Sequence, residues 1–175
     1  MEETAKAPFW KPALTYGAIY GVVGILLSVI FYVLNLQFKG WTQLISLVVS
    51  IVVLVYCLKN YRNEYLGGYA SYGKLLVMSL GVAVVATILS SIYMYLLINV
   101  IDPDYIEKAT QYQIDRLSNN PRFTEAQLDA FIERLENRAS NQRTMVMGFV
   151  AGIIVTFIIG LIASAFIKKE QNPVS

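Results

Sequence analysis

Three acidic residues lie close together where a long apolar stretch gives way to polar sequence: Asp102, Asp104 and Glu107. Grouped carboxylates can bind a hard metal ion or take part in acid–base chemistry. Surface helices, however, commonly carry such acids as solvated charges or as caps. We therefore favour a non-catalytic role for these three side chains and expect neither a metal nor a cofactor.

Histidine and cysteine usage narrows the remaining chemistry. The 175-residue chain contains no histidine, which excludes imidazole metal sites, histidine general bases and Ser-His or Cys-His nucleophile pairs. Cys57 is the only cysteine, so no intrachain disulfide can form. Its apolar neighbours make it a packing residue rather than a reactive thiol. We expect no catalytic residue and no enzymatic activity.

A tyrosine- and glycine-rich segment at residues 61–74 offers a binding site of another kind. One interpretation is a tight connection, in which glycines turn the chain and tyrosine rings lie at a membrane interface. The alternative is a grip on a lipid headgroup or a partner. The segment lacks the Gly-Lys-Ser/Thr ending of a phosphate-binding loop. The candidate lipid or partner contacts are Arg62, Tyr65, Tyr69, Tyr72 and Lys74.

Four long apolar stretches must position these residues. Hydrophobic residues make up 56% of the chain and charged residues 15%. A stretch of about 22 residues forms a helix of roughly 33 Å, enough to cross a hydrocarbon core of about 30 Å. We predict an all-α integral membrane four-helix bundle, a single membrane domain over residues 1–175. The spans are expected at about residues 13–34, 41–60, 75–101 and 144–167.

The polar segment at residues 102–143 cannot enter a bilayer. It carries eight acidic and six basic residues, and each charge costs about 2.5 to 3.5 kcal/mol at the centre of a span. Asp102-Pro103 predicts a helix start, with the helix ending near Leu117. The alternative is a third span that continues through a kink at Pro103. We predict an extramembrane helical hairpin between spans 3 and 4.

The second helix of this insert is amphipathic. Thr124 begins a capping box, which marks a helix start. The apolar stripe that follows favours packing against the first helix, on its Ile106, Ile114 and Leu117 face. The alternative is that the stripe docks a partner subunit or lies on the membrane surface. Its members are Leu128, Phe131, Ile132, Leu135 and Ala139.

Small residues recur on single faces of the first and fourth spans. Helices in lipid associate through close backbone approach and dispersion contacts, which small side chains permit. Packing inside the bundle is the favoured interpretation, and a homo-oligomer face is the alternative. The candidate helix-packing residues are Gly17, Gly21, Gly24, Ser28, Gly148, Gly152 and Gly160.

The basic residues nearest the span ends predict the orientation. Six of them flank one side, namely Lys11, Lys59, Arg62, Lys74, Lys168 and Lys169, against Lys39 and Arg143 on the other. The positive-inside rule then places the termini and residues 61–74 in the cytoplasm, and the insert at residues 102–143 outside.

The sequence resembles the bacterial membrane proteins grouped as domain of unknown function 4199 (DUF4199), which occur mainly in the Bacteroidetes. The resemblance rests on the glycine-rich first span, the 68–73 start of the third span, Gly81, and the polar segment from Asp102 before a glycine-rich last span. It implies the bacterial inner membrane and carries over no catalytic residue.

Two functions are compatible with these features. The first is a non-enzymatic membrane subunit or scaffold, with a protein partner on the insert. The second is an accessory protein that binds or transports a lipid or an apolar small molecule. The net charge of +2, with no basic run between aromatic residues, gives no support for nucleic-acid binding.

Overall fold

The computed structural model describes residues 9–119, 124–136 and 141–169. These residues form helices and turns, with no strand among them, and so confirm the all-α prediction. The helices are α1 (Trp10–Val33), α2 (Gly40–Asn60), α3 (Tyr72–Leu96), α4 (Tyr105–Ser118), α5 (Glu125–Glu136) and α6 (Asn141–Ile167). Single π-helical turns extend α2 through Tyr61–Tyr65 and α3 through Leu97–Ile101.

Four helical segments are long and apolar enough to cross a bilayer: Trp10–Val33, Gly40–Tyr65, Tyr72–Ile101 and Val146–Ile167. They coincide with the predicted spans to within a few residues at most ends; the second runs on to Tyr65 because the π-turn continues it. Their outer faces are apolar and uncovered. On α2, for example, Leu44 is 65% exposed and Val52 is 61% exposed. Apolar surface of this extent suits a lipid surround.

Two compact units make up the chain, and they are described separately. The first contains Met1–Ser90 and Ala151–Ser175, and within it parts of all four spans share one core. The four spans that share this core form the membrane bundle, and the core is the set of side chains buried between them. Its buried members include Ala13, Tyr16, Leu54, Cys57, Leu58, Leu75, Met78, Val82, Ile159 and Ala163.

A tight turn joins α1 to α2 in this first unit. Asn35 has a φ of +54°, the left-handed conformation that asparagine tolerates better than most residues. The Leu36 amide donates to the Phe31 carbonyl at 2.8 Å, and this bond closes the turn. Phe31 then contacts Trp41 edge-to-face, with ring centroids 6.5 Å apart.

The second unit, Ser91–Val150, holds the insert. The helix of span 3 ends at Ile101, where the Asp102 amide donates to the Leu97 carbonyl at 2.7 Å. The chain turns and resumes as α4 at Tyr105. The insert helix thus begins two residues later than the Asp102-Pro103 signal predicts. The residue before α4 is Asp104, which makes no side-chain cap hydrogen bond, and the Asp102 carboxylate pairs with Lys108.

The two insert helices lie side by side. α5 begins at Glu125, directly after Thr124, where the capping-box pattern predicts a helix start. Leu117 of α4 and Phe131 of α5 line one cleft of about 330 Å³, together with Gln113 and Arg116. The side chains of Leu128 and Leu135, and all of Ala139, lie outside the described residues.

Candidate functional site

A polar junction joins the end of α2, the start of α3 and the end of α6. We define it as residues 59–74 and 167–169. The π-turn at Tyr61–Tyr65 widens the last turn of the second span, as π-turns often do at functional sites. Gly67 and Gly68 then reverse the chain with φ values of +62° and +87°, which only glycine adopts readily. The Gly68 amide donates to the Arg62 carbonyl at 2.9 Å.

Glu64 reaches from this π-turn to the first span. The Tyr16 hydroxyl donates to Glu64 Oε2 at 2.8 Å, a bond between residues 48 positions apart. The Tyr16 ring meets Tyr65 edge-to-face at 6.3 Å, and Tyr65 stacks on Tyr61 at 6.0 Å. Tyr16 is 4% exposed, so the carboxylate satisfies a hydroxyl that would otherwise be buried without a partner. This cluster ties α1 to α2.

Arg62 ties α2 to the end of α6. Its Nη1 donates to the Ile167 carbonyl at 2.8 Å, and its Nε donates to Asn63 Oδ1 at 3.1 Å. The last carbonyls of a helix have no intrahelical partner and carry the negative end of its dipole. The guanidinium therefore satisfies one such carbonyl and supplies a favourable charge at the same point.

Lys169 is fixed to the same connection by its backbone. The Ala70 amide donates to the Lys169 carbonyl at 2.9 Å, and the Lys169 amide donates to the Ala70 carbonyl at 3.0 Å. The Lys169 ammonium lies 5.1 Å from the centre of the Tyr69 ring, within cation–π range. Lys169, the second residue after α6, is thus held against the 61–74 segment.

The predicted lipid or partner contacts divide into two groups. Arg62 and Tyr65 are half-buried and engaged inside the protein. Tyr69 and Lys74 are exposed, and Tyr72 is half-buried. The structure also brings Tyr16, Glu64, Ile167 and Lys169 into this site; of these, the sequence had used only Lys169, and only to predict the orientation. The one available signal was the Lys168-Lys169 pair directly after the last span.

The glycines of α1 pack against α3. A Cβ added at Gly17 would lie 2.5 Å from Val85 Cβ, and one added at Gly21 would lie 3.1 Å from the Ala86 backbone. A side chain at Gly17 would therefore force the helices apart, while one at Gly21 would require the α3 backbone to give by a few tenths of an ångström. The face does not continue to Gly24, where an added Cβ would meet nothing within 4 Å; Ser28, one turn further, is half-buried.

Two of the three α6 glycines, Gly152 and Gly160, also face α3, but at different distances. A Cβ added at Gly160 would lie 2.7 Å from Ser79 Cβ and closer still to its hydroxyl, and one at Gly152 would lie 3.4 Å from Thr87. At Gly148 an added Cβ would lie in open space. The tightest approach of α6 to α3 among the glycines is therefore at Gly160.

The acidic residues that open the insert form no common site. Asp102 is 7% exposed and pairs with Lys108 at 2.8 Å. Asp104 and Glu107 are exposed. In the part of the chain that the structure describes, no group of three or more His, Cys, Asp or Glu side chains could hold a metal ion.

The chain has four apolar spans that share one core, and it also has a polar helical insert. These features define a multi-pass helical membrane protein. The sequence model of the family described as "Protein of unknown function (DUF4199)" matches residues 15–169. Since this match covers most of the chain, the protein belongs to the DUF4199 family. No curated protein and no solved structure matches the chain.

Proposed function

We propose that this protein is a non-enzymatic membrane subunit or scaffold whose insert contacts a partner protein. The bundle holds the spans together, and the insert supplies the recognition surface. The observation that carries the proposal is the incomplete burial of those apolar insert residues whose side chains the structure describes.

The hairpin leaves its own apolar side chains partly uncovered. No residue of α4 is buried. Ile106, Ile114 and Leu117 are half-buried, as are Phe131 and Ile132 on α5. A hairpin whose apolar stripe served internal packing alone would bury it more completely, since each fully buried side chain of this size contributes about 1.5 to 3 kcal/mol. The residual apolar surface is what a partner would cover.

The cleft between α4 and α5 defines the chemistry of that partner. Leu117 and Phe131 give it an apolar lining, and Gln113 and Arg116 add polar groups to it. An amphipathic helix that inserts an apolar side chain beside a carboxylate would match this lining, with the carboxylate accepting from Arg116. We therefore propose a helical segment of another envelope protein as the occupant.

Site-specific crosslinking in native membranes tests the proposal. A photo-crosslinking amino acid at Gln113, in the cleft, should give one recurrent crosslinked band. The matched control is Gln111, which is exposed and lies about 160° around α4 from Gln113. We expect no such band from Gln111. Equal crosslinking from both positions, or none from either, would count against a partner in the cleft.

The proposed location is the bacterial inner membrane, with both termini in the cytoplasm and the insert outside. The basic residues near the span ends support this orientation. In a Cys57→Ser background, a cysteine in place of exposed Gln111 should react with a membrane-impermeant maleimide on intact spheroplasts. A cysteine replacing exposed Asn63 should react only after the membrane is opened. The reverse pattern would overturn the orientation.

A further inference from the structure

The polar junction concentrates positive charge at one end of the bundle. Residues 59–74 and 167–169 contain five basic residues and one acidic residue, Glu64, which leaves a net charge of +4 (5 − 1). The basic residues are Lys59, Arg62, Lys74, Lys168 and Lys169.

Internal side-chain hydrogen bonds use two of these charged groups. Glu64 accepts a hydrogen bond from the Tyr16 hydroxyl at 2.8 Å. Arg62 donates to the Ile167 carbonyl and to Asn63. Within the described residues, no carboxylate forms an ion pair with Lys168 or Lys169, and both side chains are exposed.

The fold holds these two lysines in place. The paired backbone hydrogen bonds between Ala70 and Lys169, at 2.9 and 3.0 Å, fix the chain just after α6. The Lys168 amide donates to the Ser164 carbonyl at 3.0 Å, and Tyr69 lies under the Lys169 ammonium. Positive charges that no carboxylate neutralises attract an anion. Fixing their backbone in advance lowers the entropy cost of binding that anion.

We propose that Lys168 and Lys169 bind the phosphate of an anionic phospholipid at the surface of the bilayer. The pair directly follows the fourth span, where lysine side chains reach the headgroups. Tyr69 and Tyr72, on the same connection, suit the interfacial layer. In this proposal Arg62 secures α6 through the Ile167 carbonyl, and the lysines beyond it bind the anion. The proposal rests on the membrane location and not on the partner at the insert.

Native mass spectrometry of the full chain tests this site. The protein is reconstituted in vesicles of equal phosphatidylglycerol and phosphatidylcholine, then gently extracted, and the ratio of bound phosphatidylglycerol to phosphatidylcholine is measured. The unmodified chain should favour phosphatidylglycerol. Lys168→Gln and Lys169→Gln should each lower this ratio roughly fivefold, the effect of one lysine near a charged headgroup. The double variant should lower it by roughly the product.

Three controls make the result specific. Lys39→Gln removes one exposed charge at the α1–α2 turn and should leave the ratio unchanged. Lys168→Arg and Lys169→Arg keep the charge and should keep the ratio. A large excess of inorganic phosphate should not displace the lipid. Unchanged ratios in the glutamine variants, an equal loss in Lys39→Gln, or displacement by free phosphate would each overturn the proposal.

Discussion

Gly160→Leu should strongly destabilise the bundle. At this position even one added carbon would lie 2.7 Å from Ser79 Cβ, and Ser79 is fully buried. The helices would have to separate, with loss of dispersion contacts along the α3–α6 interface. Overpacking of a tight core costs about 1 to 3 kcal/mol, and we expect the upper part of that range. Steric trapping in detergent micelles measures the free energy of unfolding of the variant and of the unmodified chain.

Gly148→Leu is the matched control for this prediction. It makes the same substitution in the same helix, but an added Cβ there meets nothing within 4 Å. Substitutions that create no clash usually change stability by no more than about 0.5 kcal/mol. If both variants lose stability equally, close approach at Gly160 is not what holds α6 to α3.

Val52→Asp should keep α2 from spanning the membrane in a large fraction of the molecules. Val52 lies at the middle of the Gly40–Tyr65 span and is 61% exposed. In a water-soluble protein, a charge at such an exposed position would change stability very little. At the centre of a bilayer an aspartate costs about 2.5 to 3.5 kcal/mol. The fraction of α2 that spans the bilayer, read by glycosylation tags in microsomes, should therefore fall sharply.

Asn63→Asp adds the same charge at the end of that span. Asn63 is exposed, and its Oδ1 already accepts from Arg62 Nε, so an aspartate there gains a stronger partner. We expect insertion of this variant to match that of the unmodified chain. Equal insertion of the Val52 and Asn63 variants would show that Val52 does not face the hydrocarbon.

The spans and the start of α5 could be predicted because their signals are local. A run of about 20 apolar residues favours crossing the bilayer whichever helices it packs against. The Thr124 capping box lies within one helical turn of the start that it marks. The start of α4 was less predictable. The sequence was compatible both with a cap at Asp102 and with a third span that continues through a kink at Pro103, whereas the span ends at Ile101 and α4 starts at Tyr105.

The polar junction could not be predicted from local patterns. Arg62 and the Ile167 carbonyl are 105 residues apart, and Tyr16 and Glu64 are 48 apart. Every residue has a backbone carbonyl, so the sequence does not indicate which carbonyl accepts the Arg62 hydrogen bond. The same reasoning applies to the glycine stripes: spacing showed which residues share a face, but where two helices cross decides that Gly17 and Gly21 are in contact while Gly24 is not.

Alkaline carbonate extraction of membranes that contain the full chain, followed by chromatography with and without detergent, tests the membrane assignment most directly. The chain should stay with the membranes after the wash and leave them only in detergent, because its exposed apolar spans are more stable among acyl chains than in water. A monodisperse chain in detergent-free buffer would contradict the four-span architecture and everything inferred from it.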